Sequence, residues 1–119
     1  MSLNKDNYQV LVSLLEQFRS DATNTKLDAT ELRQRLASLK QLFAQQIVPL
    51  TEVDSHEQSY RTEMSKQLRL LEIDIMFFQG ARQESTAKAR LETISDRLTT
   101  LIRYCDAILQ PEDKGEKNY

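Results

Sequence analysis

From Ala87 to Ile108 the apolar residues fall at alternating intervals of four and three: Ala87, Leu91, Ile94, Leu98, Leu101, Cys105 and Ile108. That spacing lines them up on one side of an α-helix, as a coiled-coil seam about three heptads long. A strand alternates with period two and cannot gather these residues on one face. A seam of this kind has to be covered by another helix. Leu68, Leu71, Ile75 and Phe78 carry the matching spacing just upstream, across a short polar joint from Ala81 to Ser85. A joint that short makes the two helices antiparallel neighbours.

The rest of the chain repeats the theme. Tyr8, Leu11, Leu15, Phe18 and Ala22 form the stripe of a first helix predicted from about Asn4 to Ala22, with Leu14 at its margin. Asp28 and Glu31 are placed as a capping box, and Leu27 and Leu32 as its hydrophobic staple. They start a second helix whose inward face is Leu32, Leu36, Leu39, Phe43 and Ile47. Pro49 lacks a backbone donor and its ring clashes with the preceding turn. A break or sharp kink is therefore expected around Val48 to Thr51, with Val48 pushed toward extended backbone; the alternative is a kinked but continuous helix, because Leu50 and Val53 keep the period. Asp54 and Glu57 are a second capping pair, so the third helix starts near Thr51 or Asp54. It ends near Gln79, where Gly80 would take a left-handed cap. The fourth helix is predicted from about Ser85 to Leu109, with Ser85 or Thr86 as cap.

Helices of about 19 to 28 residues reach roughly 30 to 40 Å. The fold class expected is all-α: an elongated antiparallel helical bundle of about four long amphipathic helices with coiled-coil-like packing. One domain spans residues 1–109, and residues 110–119, polar and without a stripe, form a fraying tail.

Composition narrows the function. The chain holds 119 residues, with two glycines, two prolines, one cysteine and one histidine, and a formal net charge of −2. Nothing here forces a basic field of the kind that nucleic acid attracts. No apolar run approaches the roughly 20 residues of a membrane span. The opening residues lack a basic segment followed by an apolar one, so a cytoplasmic protein without a secretory signal is expected. A di-metal bundle needs Glu-x-x-His pairs, and no Glu lies three residues before His56. Asp54, His56 and Glu57 read as a solvated first turn. Cys105 reads as a small apolar core residue. Gly80 and Gly115 are isolated, so no phosphate loop can be built. No catalytic residue, metal site, cofactor or small-molecule substrate is assigned, and the chain is read as a non-enzyme.

The informative feature is a second apolar face on the third helix. The first face is Tyr60, Met64, Leu68, Leu71, Ile75 and Phe78. Leu70, Ile73 and Phe77, with Met76 beside them, point roughly 150° away from it. Either this helix lies centrally and touches helices on both sides, or the face is an exposed patch for self-association or for a partner helix. In the second case Arg69 and Asp74 would rim it. Arg90, Arg97 and Tyr104 share one side of the fourth helix at seven-residue spacing. With Arg103 they support an alternative reading, a nucleic-acid-associated regulator using a basic face.

The chain also resembles a known family. The residues that carry the resemblance are Leu3-Asn4-Lys5-Asp6-Asn7-Tyr8 leading into Val-Ser-Leu-Leu-Glu-Gln-Phe, the run from Leu39 to Pro49, and the stretch Leu-Leu-Glu-Ile-Asp-Ile-Met-Phe-Phe-Gln. Over most of its length, up to about Leu109, it resembles the cyanobacterial PatD family. The resemblance implies a regulator of heterocyst frequency that restrains how many cells of a filament differentiate. It implies a connection to cell division through the tubulin-like protein FtsZ, and hence a place at the division site. It carries over no site residues. The expected partners are a protein such as FtsZ, or a second copy in a homodimer.

Overall fold

The computed structural model describes residues 4–25, 27–51 and 53–110. The tail reading for residues 111–119 lies outside these. Among the described residues there are four α-helices and no strand: α1 (Lys5–Asn24), α2 (Ala29–Leu42), α3 (Ser55–Gly80) and α4 (Glu84–Leu109), with a π-turn at Phe43–Ile47. The bundle is elongated, 49 × 32 × 21 Å. α4 packs along both α1 and α3, and α2 closes the ring against α3 and, more lightly, α1. The antiparallel order appears in cross-links at both ends. Arg33 of α2 donates to Gln79 of α3, and Tyr60 of α3 meets Tyr104 of α4 at 5.5 Å between ring centroids.

The predicted stripes form the core. Tyr8, Leu15, Phe18, Leu32, Leu39, Ile47, Met64, Leu71, Ile75, Ile94, Leu98 and Leu101 are fully buried, and Cys105 lies among them. Ile102, outside the four-three series, is buried as well, whereas Leu91 and Ile108 at the ends of the seam are only partly covered.

The helix ends follow local chemistry. Asp28 accepts from the Glu31 amide at 2.8 Å and Glu31 reaches back to the Asp28 amide at 2.9 Å, the full capping box. Asp54 likewise accepts from the Glu57 amide at 2.8 Å, but the Glu57 carboxylate turns inward instead of closing a box.

Three expectations about ends are corrected. Val48 is helical, φ −58° and ψ −41°, not extended. Its amide bonds to the Phe43 carbonyl at 2.9 Å, a five-residue π register. The chain then leaves the helix at Pro49, and the carbonyls this strands are taken by side chains. Asn7 donates to the Gln46 carbonyl at 2.9 Å and Arg61 to the Val48 carbonyl at 2.7 Å. These bonds offset the cost of helical backbone before a proline. Gly80 does not take a left-handed cap: it stays in α3, and the chain departs at Ala81 in extended backbone, φ −71° and ψ 130°. α4 begins earlier than Ser85, with Gln83 as its N-cap and no side-chain capping bond. Glu84 opens the helix, an acid in the first turn where the helix dipole favours it.

Candidate interaction surface

α3 buries Met64, Leu68, Leu71 and Ile75 and keeps its second apolar face outside the core. Leu70, Ile73, Met76 and Phe77 are 36%, 39%, 62% and 52% exposed. The central-helix alternative is thus not how this chain packs. Leu70, Ile73 and Phe77 follow one another at intervals of three and four along the outer side. The guanidinium of Arg90, on α4, lies over the Phe77 ring at 4.7 Å from its centroid. Met76 sits toward α2, where with Arg33, Leu36, Ala37, Lys40, Glu72 and Ile75 it lines a groove of about 190 Å³. A second groove of about 190 Å³ continues along the same seam, lined by Lys40, Phe43, Ser65, Leu68, Arg69 and Glu72. The Lys40–Glu72 ion pair, 3.2 Å, crosses between the two.

Of the two predicted rim residues, Arg69 is exposed beside the patch. Asp74 is not on the rim. It is 5% exposed and accepts from Nε of Arg97 at 2.7 Å, in the seam between α3 and α4. That pair also takes one arginine out of the basic face expected on α4, where Arg103 stays exposed. Arg97 is committed to Asp74, Arg90 is stacked on Phe77, and Tyr104 packs on Tyr60. With Arg97 taken by Asp74 and Tyr104 uncharged, the seven-residue series does not present a row of free cations, and Arg90 alone of the three keeps outward N–H donors.

The reactive residue types sit in ordinary surroundings. Burial pushes the Cys105 thiol up to about 12, so the nucleophilic thiolate is scarce at neutral pH. His56 is exposed and meets the edge of Tyr60, ring centroids 4.9 Å apart. Among the described residues no three His, Cys, Asp or Glu side chains gather as metal ligands, and no helix is long and apolar enough to cross a membrane.

One polar cluster escaped the sequence reading. Glu57 is 7% exposed and its Oε2 accepts from the Tyr8 hydroxyl at 2.9 Å and from Nδ2 of Asn4 at 2.9 Å. Burial, then the bond to Glu57, holds the Tyr8 hydroxyl well above its usual range. The signal was present: Glu57 lies three residues before Tyr60 on the core stripe, and a tyrosine in a core needs a partner for its hydroxyl. The cluster ties the starts of α1 and α3 together.

No curated protein and no solved structure matches this chain. The family model of the CRR41 C-terminal domain matches residues 5–105, from the start of α1 to within the last two turns of α4. This chain belongs to the CRR41 C-terminal domain family.

Proposed function

We propose that this chain is a non-enzymatic regulatory protein that acts by docking another protein on the outer face of α3. One observation carries the reading: a bundle that buries its four core stripes leaves Leu70, Ile73, Met76 and Phe77 exposed along a single helix. Isolated exposed apolar residues are ordinary, but a contiguous patch is what interfaces are built from. Docking would work by occupancy, changing how the partner assembles or what else can reach it. The finer reading is restraint of heterocyst frequency in a filamentous cyanobacterium through contact with FtsZ at the division site. It is supported by the sequence resemblance to the PatD family, and the family match neither adds to it nor subtracts from it. The test is a titration of labelled FtsZ with the wild-type chain and with Ile73→Asp/Phe77→Asp. The reading expects saturable binding by the wild type and none by a variant that keeps its helical circular dichroism. Equal binding by both would place the contact elsewhere, and binding by neither would remove FtsZ as the partner.

A further inference from the structure

The charges around the patch say what kind of helix it takes. Lys66 lies four residues before Leu70 and so extends the same stripe. Its side chain is 63% exposed and its ion pair, to Glu63 at 3.2 Å, is itself open to solvent. Arg69 is exposed beside Leu70. Arg90 closes the far end over Phe77. A guanidinium stacked on a ring keeps its N–H donors around its edge, free for a carboxylate. Among the described residues neither Arg69 nor Arg90 has a carboxylate within ion-pair distance. Lys66, Arg69, Arg90 and Lys40 against Glu63 and Glu72 give four cations to two carboxylates, a local net charge of +2 on a chain whose total is −2. The patch is therefore apolar along its centre and cationic at its edge.

Its area separates the candidate occupants. At about 200 Å² for a fully exposed large apolar side chain, the four exposures amount to roughly 400 Å². A stable dimer needs about 800 Å² from each partner. The patch suits one docked helix better than a second copy of the bundle.

Resting on the docking reading above, we infer that the outer face of α3 binds an acidic amphipathic helix of a partner protein. Apolar side chains at three- and four-residue spacing would lie on Leu70, Ile73 and Phe77, and flanking carboxylates would meet Lys66, Arg69 and Arg90. The rim sets which helix binds and the apolar stripe supplies most of the affinity.

Two designed peptides test this on the full chain. Both carry leucines at three- and four-residue spacing; one is flanked by glutamates and the other by lysines. Binding is read by fluorescence anisotropy at low and at high salt. The inference expects the glutamate peptide to bind at least about tenfold tighter at low salt, with the gap closing as salt screens the rim. Arg69→Glu/Arg90→Glu, shown to be folded by its urea midpoint, should reverse the preference. Ile73→Ser/Phe77→Ser should weaken both peptides. If both peptides bind the wild type alike, or the charge reversal leaves the preference unchanged, the acidic-partner inference is wrong while the docking face stands. If Ile73→Ser/Phe77→Ser changes nothing, the docking face itself is wrong. Binding by neither peptide at millimolar concentration, or a chain that dimerises through this face instead, also overturns the inference.

Discussion

Arg97→Ala should be among the most damaging single changes at a residue that still reaches solvent. Its Nε donates to Oδ2 of Asp74 at 2.7 Å, with side-chain exposures of 29% for the arginine and 7% for the aspartate. Removing the arginine leaves a carboxylate in the α3–α4 seam with nothing of opposite charge. Gln67, which Arg97 also reaches, can offer it a dipole but no charge. Breaking a buried pair in this way costs about 3 to 5 kcal/mol, and the partial exposure of Arg97 argues for the lower end, about 3 kcal/mol. The pair is not symmetric. Asp74→Asn leaves Arg97 charged but able to turn toward water, so it should cost about 1 to 1.5 kcal/mol. The combination Asp74→Asn/Arg97→Ala removes both charges and should recover part of the loss, ending more stable than Arg97→Ala alone. The assay is urea unfolding followed by circular dichroism, with all variants showing the wild-type slope. With a slope of about 1 to 1.5 kcal/mol per molar, the Arg97→Ala midpoint falls by roughly 2 to 3 M. A midpoint within about 0.3 M of wild type, or Asp74→Asn costing as much as Arg97→Ala, would refute the reasoning.

Other perturbations read other parts of the structure. Tyr8→Phe removes one of the two bonds to the buried Glu57 and should cost about 1.5 to 3 kcal/mol in the same assay, since the acceptor is a carboxylate. Gly80→Ala should stabilise by about 0.5 to 1 kcal/mol, because Gly80 is helical and an added Cβ meets nothing within 4 Å. Arg61→Met removes the bond to the Val48 carbonyl, which water can replace because Val48 is exposed, and should cost about 0.5 to 1 kcal/mol. Stability should also fall in alkali. Cys105 is raised from 9.0 to about 12, so the stability it contributes is complete below pH 9 and lost as pH climbs toward 12. Tyr8, also raised, adds to that fall. Cys105→Ala should make the decline between pH 9 and 12 shallower; an unchanged slope would contradict the burial of the thiol.

What could be read from the sequence was what depends on the chain's own near neighbours. The capping box at Asp28 and Glu31 needs only a three-residue spacing, and it forms as written. The four stripes need only the helical period, and their central residues bury as expected, while Tyr60, Phe78, Leu91 and Ile108 toward the helix ends are only partly covered. The second face of α3 was legible for the same reason, though its exposure was not. Exposure depends on which side of α3 its neighbours choose, and α2 and α4 flank the main stripe instead of wrapping around. The misread residues are those whose partners lie far along the chain. Asp74 stands next to Ile75 on the helix surface, and period alone cannot say whether it tips toward water or toward Arg97, 23 residues on. Glu57 meets Tyr8 across 49 residues. Val48 is held helical by bonds made around it by Asn7 and Arg61, which a rule about the residue before proline does not include.

The outer face of α3 lies outside the chain's own core, and the urea midpoint of Ile73→Asp/Phe77→Asp tests that most directly. At 39% and 52% exposure the new carboxylates reach water. The variant should therefore unfold within about 2 kcal/mol of wild type, with its helical circular dichroism intact. Buried unpaired carboxylates would cost several kcal/mol each. A variant that is unfolded without urea would mean that this face is core, and the docking surface would go with it.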